Sequence, residues 1–256
     1  MSKRIIQLTD LHLQVSSETL YKGVLPDARL NQCLTWLEKQ EYDLLLLTGD
    51  LCHGGHVNAY QRLKDYLAFV DKPWLWLPGN HDNVDHMLQV SDQPIDSVRT
   101  LALADWQIIL LNSTHKPDGR GGGSVSQAHM LELTHYLEAN HSKSTLIFLH
   151  HNPIPVASTW QDKIMLGNAS DFTQLLNEHK QVKGVIFGHI HQPLDCLEGG
   201  VRYLGTPATS VQFAVQQEQF TLQPELGPGI RTIDLGADQS WQTQVTYLDK
   251  QANHYG

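Results

Sequence analysis

The sequence predicts an α/β protein, a four-layer α/β/β/α sandwich of two mixed β-sheets packed together and flanked by helices. Three observations carry this. Apolar runs of four to six residues alternate with segments of helical periodicity over much of the chain. Two strand-like runs, 98–103 and 107–111, interrupt that rhythm as adjacent strands joined around Ala104-Asp105. After Gly199-Gly200 the pattern turns strand-rich.

The elements follow in order. Ile5 to Thr9 reads as the first strand. Pro26 to Gln40 reads as a helix, with proline at its start and Leu30, Cys33, Leu34 and Leu37 on one face. Leu44 to Leu47 is an all-apolar strand ending at Gly49-Asp50, and Val57 to Val70 is helical. Trp74 to Leu77 is a strand running into Pro78-Gly79. A short helix starts after His81, capped by Asp82 or Asn83. Gln127 to Asn140 is a helix, and Thr145 to Leu149 and Val182 to Phe187 are buried strands. A helix from about Asp171 lies between them. Val201 to Leu204, Ser210 to Val215, Gly229 to Leu235 and Trp241 to Leu248 complete the strands.

The chain has 256 residues, of which 41% are hydrophobic, enough for a substantial core. The formal net charge is -9 and no block of Lys or Arg occurs, which argues against binding extended nucleic acid. A small anion is a different case, because bound cations can dominate the local field. No stretch has signal-peptide form or the roughly 18 apolar residues of a membrane span. Cys33, Cys52 and Cys196 are few and widely spaced, unlike a disulfide framework or zinc ribbon, and a reducing cytoplasm is expected. Cys52 reads as a small buried hydrophobe rather than a ligand. Gly119 to Ser124 lacks the Lys-Ser/Thr ending of a phosphate-binding loop and reads as a mobile loop beside the site.

Chemistry concentrates at the strand ends. Asp10-Leu11-His12, Gly49-Asp50, Gly79-Asn80-His81-Asp82, His150-His151 and Gly188-His189-Ile190-His191 nearly all follow apolar runs. Side chains at the carboxyl ends of such strands converge on one crevice. Taken singly, each motif has an ordinary explanation: a turn aspartate, an Asx turn, a polar strand terminus. Together they supply Asp10, His12, Asp50, Asn80, His150, His189 and His191, an oxygen and imidazole set that suits two divalent or trivalent ions. The ligand set spans Asp10 to His191, so a shared site needs most of the chain, and a single domain over 1–256 is expected. Of the fifteen histidines, His129, His135, His141 and His179 lie in helix-like stretches. His254 falls in a tail, and His53, His56, His86 and His115 are equally explained as polar loop residues.

This order of motifs resembles the calcineurin-like metallophosphoesterases, most closely the bacterial class III 3',5'-cyclic-AMP phosphodiesterases. Leu77-Pro78-Gly79-Asn80-His81-Asp82, His150-His151-Asn152-Pro153, Gly188-His189-Ile190-His191-Gln192, the run Thr206 to Phe213 and Pro228-Gly229-Ile230-Arg231 carry the likeness. The resemblance implies the metallophosphoesterase fold and roles for individual residues. Asp10, His12, Asp50 and His191 would hold a first metal, often iron. Asp50, Asn80, His150 and His189 would hold a second, often manganese, with Asp50 bridging. His12, Asn80, His81 and His191 would face the substrate, a small cyclic nucleotide. Metal-activated hydroxide would attack phosphorus while His81, kept protonated by acids such as Asp82, gives a proton to the leaving 3'-oxygen. His151 receives no ligand role.

Two departures matter. Protein phosphatases of this superfamily carry Asp-Arg-Gly where this chain has His53, Gly54 and Gly55, which counts against a protein substrate. The loop Asn112-Ser113-Thr114-His115 stands where relatives often have Asp-Ser. Rival expectations are a hydrolase of another small phosphoester and a non-catalytic scaffold, against which the intact ligand set and His81 argue. Trp160 to Asn168 is a candidate substrate wall.

Overall fold

A computed structural model describes residues 2–249. Met1 and residues 250–256, with the tail histidine His254, lie outside the described residues. Strands β1 (Lys3–Leu8), β2 (Leu44–Thr48), β3 (Trp74–Leu77), β10 (Gly229–Leu235) and β11 (Trp241–Tyr247) form one sheet, in the order β11-β10-β1-β2-β3. The second sheet contains β4 (Arg99–Leu103), β5 (Trp106–Leu110), β6 (Ser144–Leu149), β7 (Val182–Phe187), β8 (Leu194–Glu198) and β9 (Val201–Gly205). Its order is β4-β5-β6-β7-β9-β8. Both sheets are mixed. β1, β2 and β3 are parallel, as are β5, β6, β7 and β9, while the outer strands run antiparallel.

Three apolar layers make the sandwich. Ile5, Leu44, Leu46, Ile108, Leu146, Phe148, Ile186 and Ile233 meet between the two sheets. The alternate residues Ile6, Leu8, Leu45 and Leu47 face outward, against α1 (Pro26–Leu37) and α2 (Val57–Leu67), near α3 (Val84–Val90). Ile147, Leu149, Val185 and Phe187 face α4 (Gln127–Ala139) and α5 (Ala169–Asn177) on the other side. The central strands are thus covered on both faces, which is why their sequences are continuous apolar runs rather than alternating ones.

One polar chain crosses the middle layer just below the strand ends. Arg231 Nε donates to Thr206 Oγ1 at 2.9 Å, and the Thr206 hydroxyl donates to Gln7 Oε1 at 2.6 Å. Gln7 Nε2 donates in turn to Thr48 Oγ1 at 2.7 Å. Every member is buried and partnered, so the chain ties the sheets together directly beneath the ligand-bearing loops.

Three expectations are corrected. Ser210 to Val215 is not a strand: only an isolated bridge, Phe213 to Leu222, forms there. Val211 and Phe213 are buried against the strand-end loops rather than in a ladder, while Val215 is exposed. β8 was not anticipated, because its mostly exposed, polar edge sequence Leu-Asp-Cys-Leu-Glu carries little apolar signal. α5 begins at Ala169, so Asp171 sits in its first turn, and His141 and His179 lie just beyond the ends of α4 and α5.

Candidate metal centre

The parallel strands of both sheets end at one rim, and each hands its next residues to the same crevice. Asp10 and His12 follow β1, Asp50 follows β2 and Asn80 follows β3, while His150 follows β6 and His189 and His191 follow β7. Five of these seven residues have left-handed backbones: Asp10 (φ 53°), His12 (φ 49°), Asp50 (φ 51°), His189 (φ 69°) and His191 (φ 51°). Asp and His tolerate this region better than most residues, yet each such conformation costs on the order of 1–3 kcal/mol. The loops brace one another in it. Asp10 N donates to Gly49 O at 3.0 Å, His12 N to Asp50 O at 2.8 Å, and His189 N to Asp10 Oδ2 at 3.0 Å.

Among the described residues three groups of candidate ligands form; one, His12, His53 and His81, shares His12 with the first of the two clusters joined by Asp50. Asp10, His12 and His191 offer ligand atoms all within 4.8 Å of one another, and so do Asp50, His150 and His189. Asp50 joins the two: its Oδ2 lies 3.6 Å from His12 Nε2 and its Oδ1 lies 3.4 Å from His150 Nε2. Asn80 Oδ1 completes the second cluster, 3.2 Å from His150 Nε2.

The imidazoles are pre-set for metal. His150 Nδ1 donates to Thr48 O at 2.9 Å and His191 Nδ1 to Val211 O at 2.7 Å, directing each Nε2 into the site, toward Asp50 and Asp10 respectively. His189 is turned the other way, with Nε2 donating to Ile164 O at 3.1 Å and Nδ1 free. Anchoring one ring nitrogen to a carbonyl fixes the tautomer that presents the other to an ion. Charge fits as well. Burial holds His12 and His189 well below the usual histidine range. Burial pushes the Asp50 carboxyl up, but His150, His81 and His12 outweigh it and hold Asp50 well below the usual carboxylate range. Burial pushes His150 down, but Asp50 and Asp10 overcome this and raise it to about 9. A buried set of two carboxylates and four imidazoles, with the partly exposed Asn80 amide oxygen, suits two hard-to-borderline cations.

The other sequence candidates fall into place around this centre. The half-buried His81 donates its backbone N–H to Asp50 Oδ1 at 2.9 Å, and its ring lies 5.1 Å from that of His12. Asp82 does not serve His81, nor does it cap α3, whose cap is Asn83. Its carboxylate accepts from Leu51 N, Cys52 N, Gly79 N and the Tyr60 hydroxyl, and burial raises it to about 6. Asp50 is the carboxylate whose charge couples to His81. His151 has both ring nitrogens engaged, with Ser113 Oγ at 2.8 Å and Gly121 O at 3.1 Å, and burial lowers it to about 3. Those two contacts also tie the 112–124 segment, which includes the Gly119 to Ser124 stretch read in sequence as a mobile loop, to the site. Cys52 is buried and accepts from His56 N through its sulfur at 3.1 Å.

Sequence reasoning missed two supports and left His53 open. His53 Nδ1 lies 3.1 Å from His12 Nδ1, and its ring stacks on His81 at 4.4 Å. Tyr21 stacks on His12 at 4.4 Å, and Phe213 on His191 at 4.0 Å. No periodicity marks His53 or Tyr21, whereas the alternation around Phe213 was a signal assigned to the wrong cause. Trp160 packs edge-on to Phe213 at 5.3 Å, so the 160–168 segment borders this support.

Close packing at Gly79 gives a testable consequence. A methyl group there would run into the Asp50 carboxylate and backbone nitrogen. Gly79→Ala is expected to cost about 1–3 kcal/mol by overpacking and to displace Asp50. Denaturant unfolding and metal content check this together; an unchanged midpoint with full metal content would contradict the geometry.

Comparison with known proteins places the chain. Residues 3–193 match the calcineurin-like phosphoesterase model, and the chain belongs to that family. It is 37% identical over 255 residues to the 3',5'-cyclic adenosine monophosphate phosphodiesterase CpdA of Vibrio vulnificus, covering 96% of this chain and 90% of that protein. It is 35% identical over 256 residues to CpdA of Escherichia coli K12, with the same coverages, 96% and 90%. Against a 3',5'-cyclic-nucleotide phosphodiesterase of Nostoc it is 36% identical, covering 94% and 91%. Among solved structures, a dimetal phosphatase from Danio rerio superposes with a TM-score of 0.69 at 12% identity, covering 94% of this chain and 98% of that one. That last likeness shows the shared fold. No helix among the described residues is long and apolar enough to cross a membrane.

Proposed function

We propose that this chain is a dinuclear-metal phosphodiesterase that hydrolyses 3',5'-cyclic AMP to 5'-AMP, acting in the cytoplasm as one domain over residues 1–256. The carrying observation is the Asp50 carboxylate, with one oxygen toward His12, the other toward His150, and His81 beside it. The relatives named for cyclic-nucleotide hydrolysis support the substrate class. Asp10, His12, Asp50 and His191 would hold a first ion, iron, and Asp50, Asn80, His150 and His189 a second, manganese. Two such ions would supply Lewis-acid activation of water and neutralise charge on the phosphoryl oxygens.

The remaining work belongs to the chain's own groups. Asn80, His12, His81 and His191 line the face on which the phosphate lies. The Asn80 amide nitrogen donates to an equatorial phosphoryl oxygen. His81 gives a proton to the departing ribose 3'-oxygen, whose own basicity makes it a poor leaving group. The loop bracing described above fixes these groups before substrate arrives, so little reorganisation is needed in the reaction.

A panel tests the substrate: 3',5'-cAMP, 3',5'-cGMP, 2',3'-cAMP and an aryl phosphodiester, each with and without Mn2+. Metal-dependent conversion of 3',5'-cAMP to 5'-AMP is expected. Turnover of the aryl diester without any cyclic nucleotide would move the substrate elsewhere in the family, and no turnover at all would favour a scaffold.

Metal binding must displace the proton that Asp50 and Asp10 hold on His150. Below about 9 that proton is in place in the metal-free protein, so apparent metal affinity falls as pH falls, by up to about tenfold per pH unit. At pH 7.5, loading metal is expected to release about one proton per chain from His150, read in weakly buffered solution with an indicator dye. Metal uptake without proton release would remove His150 from the ligand set.

A further inference from the structure

Behind the metal centre lies a second cavity, of about 130 Å³, between the start of α1 and the 211–226 loop. Its wall includes Lys22, Arg29, Gln212, Leu222 and Gln223, and no acidic residue. Arg29 is the unusual member. It is 8% exposed, and its Nη1 is buried without an acceptor among the described residues. The other deeply buried arginines differ in that their guanidinium groups do find acceptors, although Arg99 also leaves its Nε without one. Arg231 donates to Thr206, Thr243 and the Gly205 carbonyl, and Arg99 to Gln93 and the Trp76 carbonyl.

A guanidinium withdrawn from water with no counter-charge is costly, and buried polar groups are otherwise almost always satisfied. The neighbouring Cys33 gives no relief, since burial raises its thiol to about 12. The one other charge on the wall is also positive. Lys22 sits at the tip of the Tyr21–Val24 turn, its Nζ 4.3 Å from the Phe220 ring centre. A cavity that holds one water needs only about 10–15 Å³ by this measure, so this one admits a tetrahedral oxyanion with water to spare.

We propose that this cavity is an anion site, separate from the metal centre, for a phosphate group held by Arg29 and Lys22. It takes either inorganic phosphate or the phosphate of a nucleotide monoester. The site is placed to communicate with the centre: Val211, on its wall, accepts the His191 Nδ1–H at 2.7 Å, and Tyr21, next to Lys22, stacks on His12.

Equilibrium dialysis of the metal-loaded protein tests the site, with labelled inorganic phosphate in one arm and labelled 5'-AMP in the other. Wild type is expected to bind one phosphate group more per chain than Arg29→Met does, and the tighter arm identifies the source. Lys22→Ala changes an exposed residue and is expected to weaken the same event at least about threefold, even if the Arg29 variant fails to fold. Asp50→Ala, which empties the metal centre, is expected to retain it, so the two sites separate. Binding unchanged by both Arg29→Met and Lys22→Ala, or binding lost only with Asp50→Ala, would overturn the proposal.

Discussion

Asp50→Ala is expected to abolish phosphodiester hydrolysis and to strip both metals in the same step. Its two oxygens reach the two clusters separately, at 3.6 Å from His12 Nε2 and 3.4 Å from His150 Nε2. Its loss also removes the charge that holds His150 protonated in the metal-free state and the acceptor for the His81 backbone N–H. Elemental analysis and a rate assay on one preparation check this. Two ions retained with near-normal turnover would reduce Asp50 to a turn residue.

His81→Ala has the second largest expected effect and separates chemistry from metal binding. His81 lies outside the two clusters joined by Asp50, though it groups with His12 and His53, and the variant is expected to keep its metals. General acid catalysis contributes typically about 10²–10⁴-fold, and hydrolysis of 3',5'-cAMP should fall by that order. A nitrophenyl diester leaves as a weakly basic anion and needs less protonation, so its rate should fall less. Equal losses on both substrates, or missing metal, would mean that His81 does something other than deliver a proton.

What the sequence showed well was what burial and strand ends impose. The doubly covered strands produced apolar runs such as Leu44 to Leu47, and the ligand motifs followed them. Ser210 to Val215 misled because its alternation reflects packing of Val211 and Phe213 behind the site, without a partner strand. Asp82 misled differently: an acid beside His81 suggested a charge partner, but its backbone position turns it toward three N–H groups and Tyr60. His53 was indistinguishable from any loop histidine, since its contacts to His12 and His81 arise only when two strand-end loops are brought together. The unpartnered Arg29 was equally invisible, because a charge's lack of partners is a property of the folded surroundings.

The left-handed backbones at five ligand positions connect fold to function. Each is strained in isolation, and each is fixed by neighbouring loops from another strand. These hydrogen bonds between loops hold the ligand positions to one another.

The central claim is that two ions, not one, make the site active. Metal-stripped protein titrated with Mn2+ while hydrolysis of an aryl phosphodiester is followed tests it most directly. The account predicts negligible activity at the start and a plateau at two equivalents per chain. Full activity in the stripped protein, or a plateau at one equivalent, would contradict it.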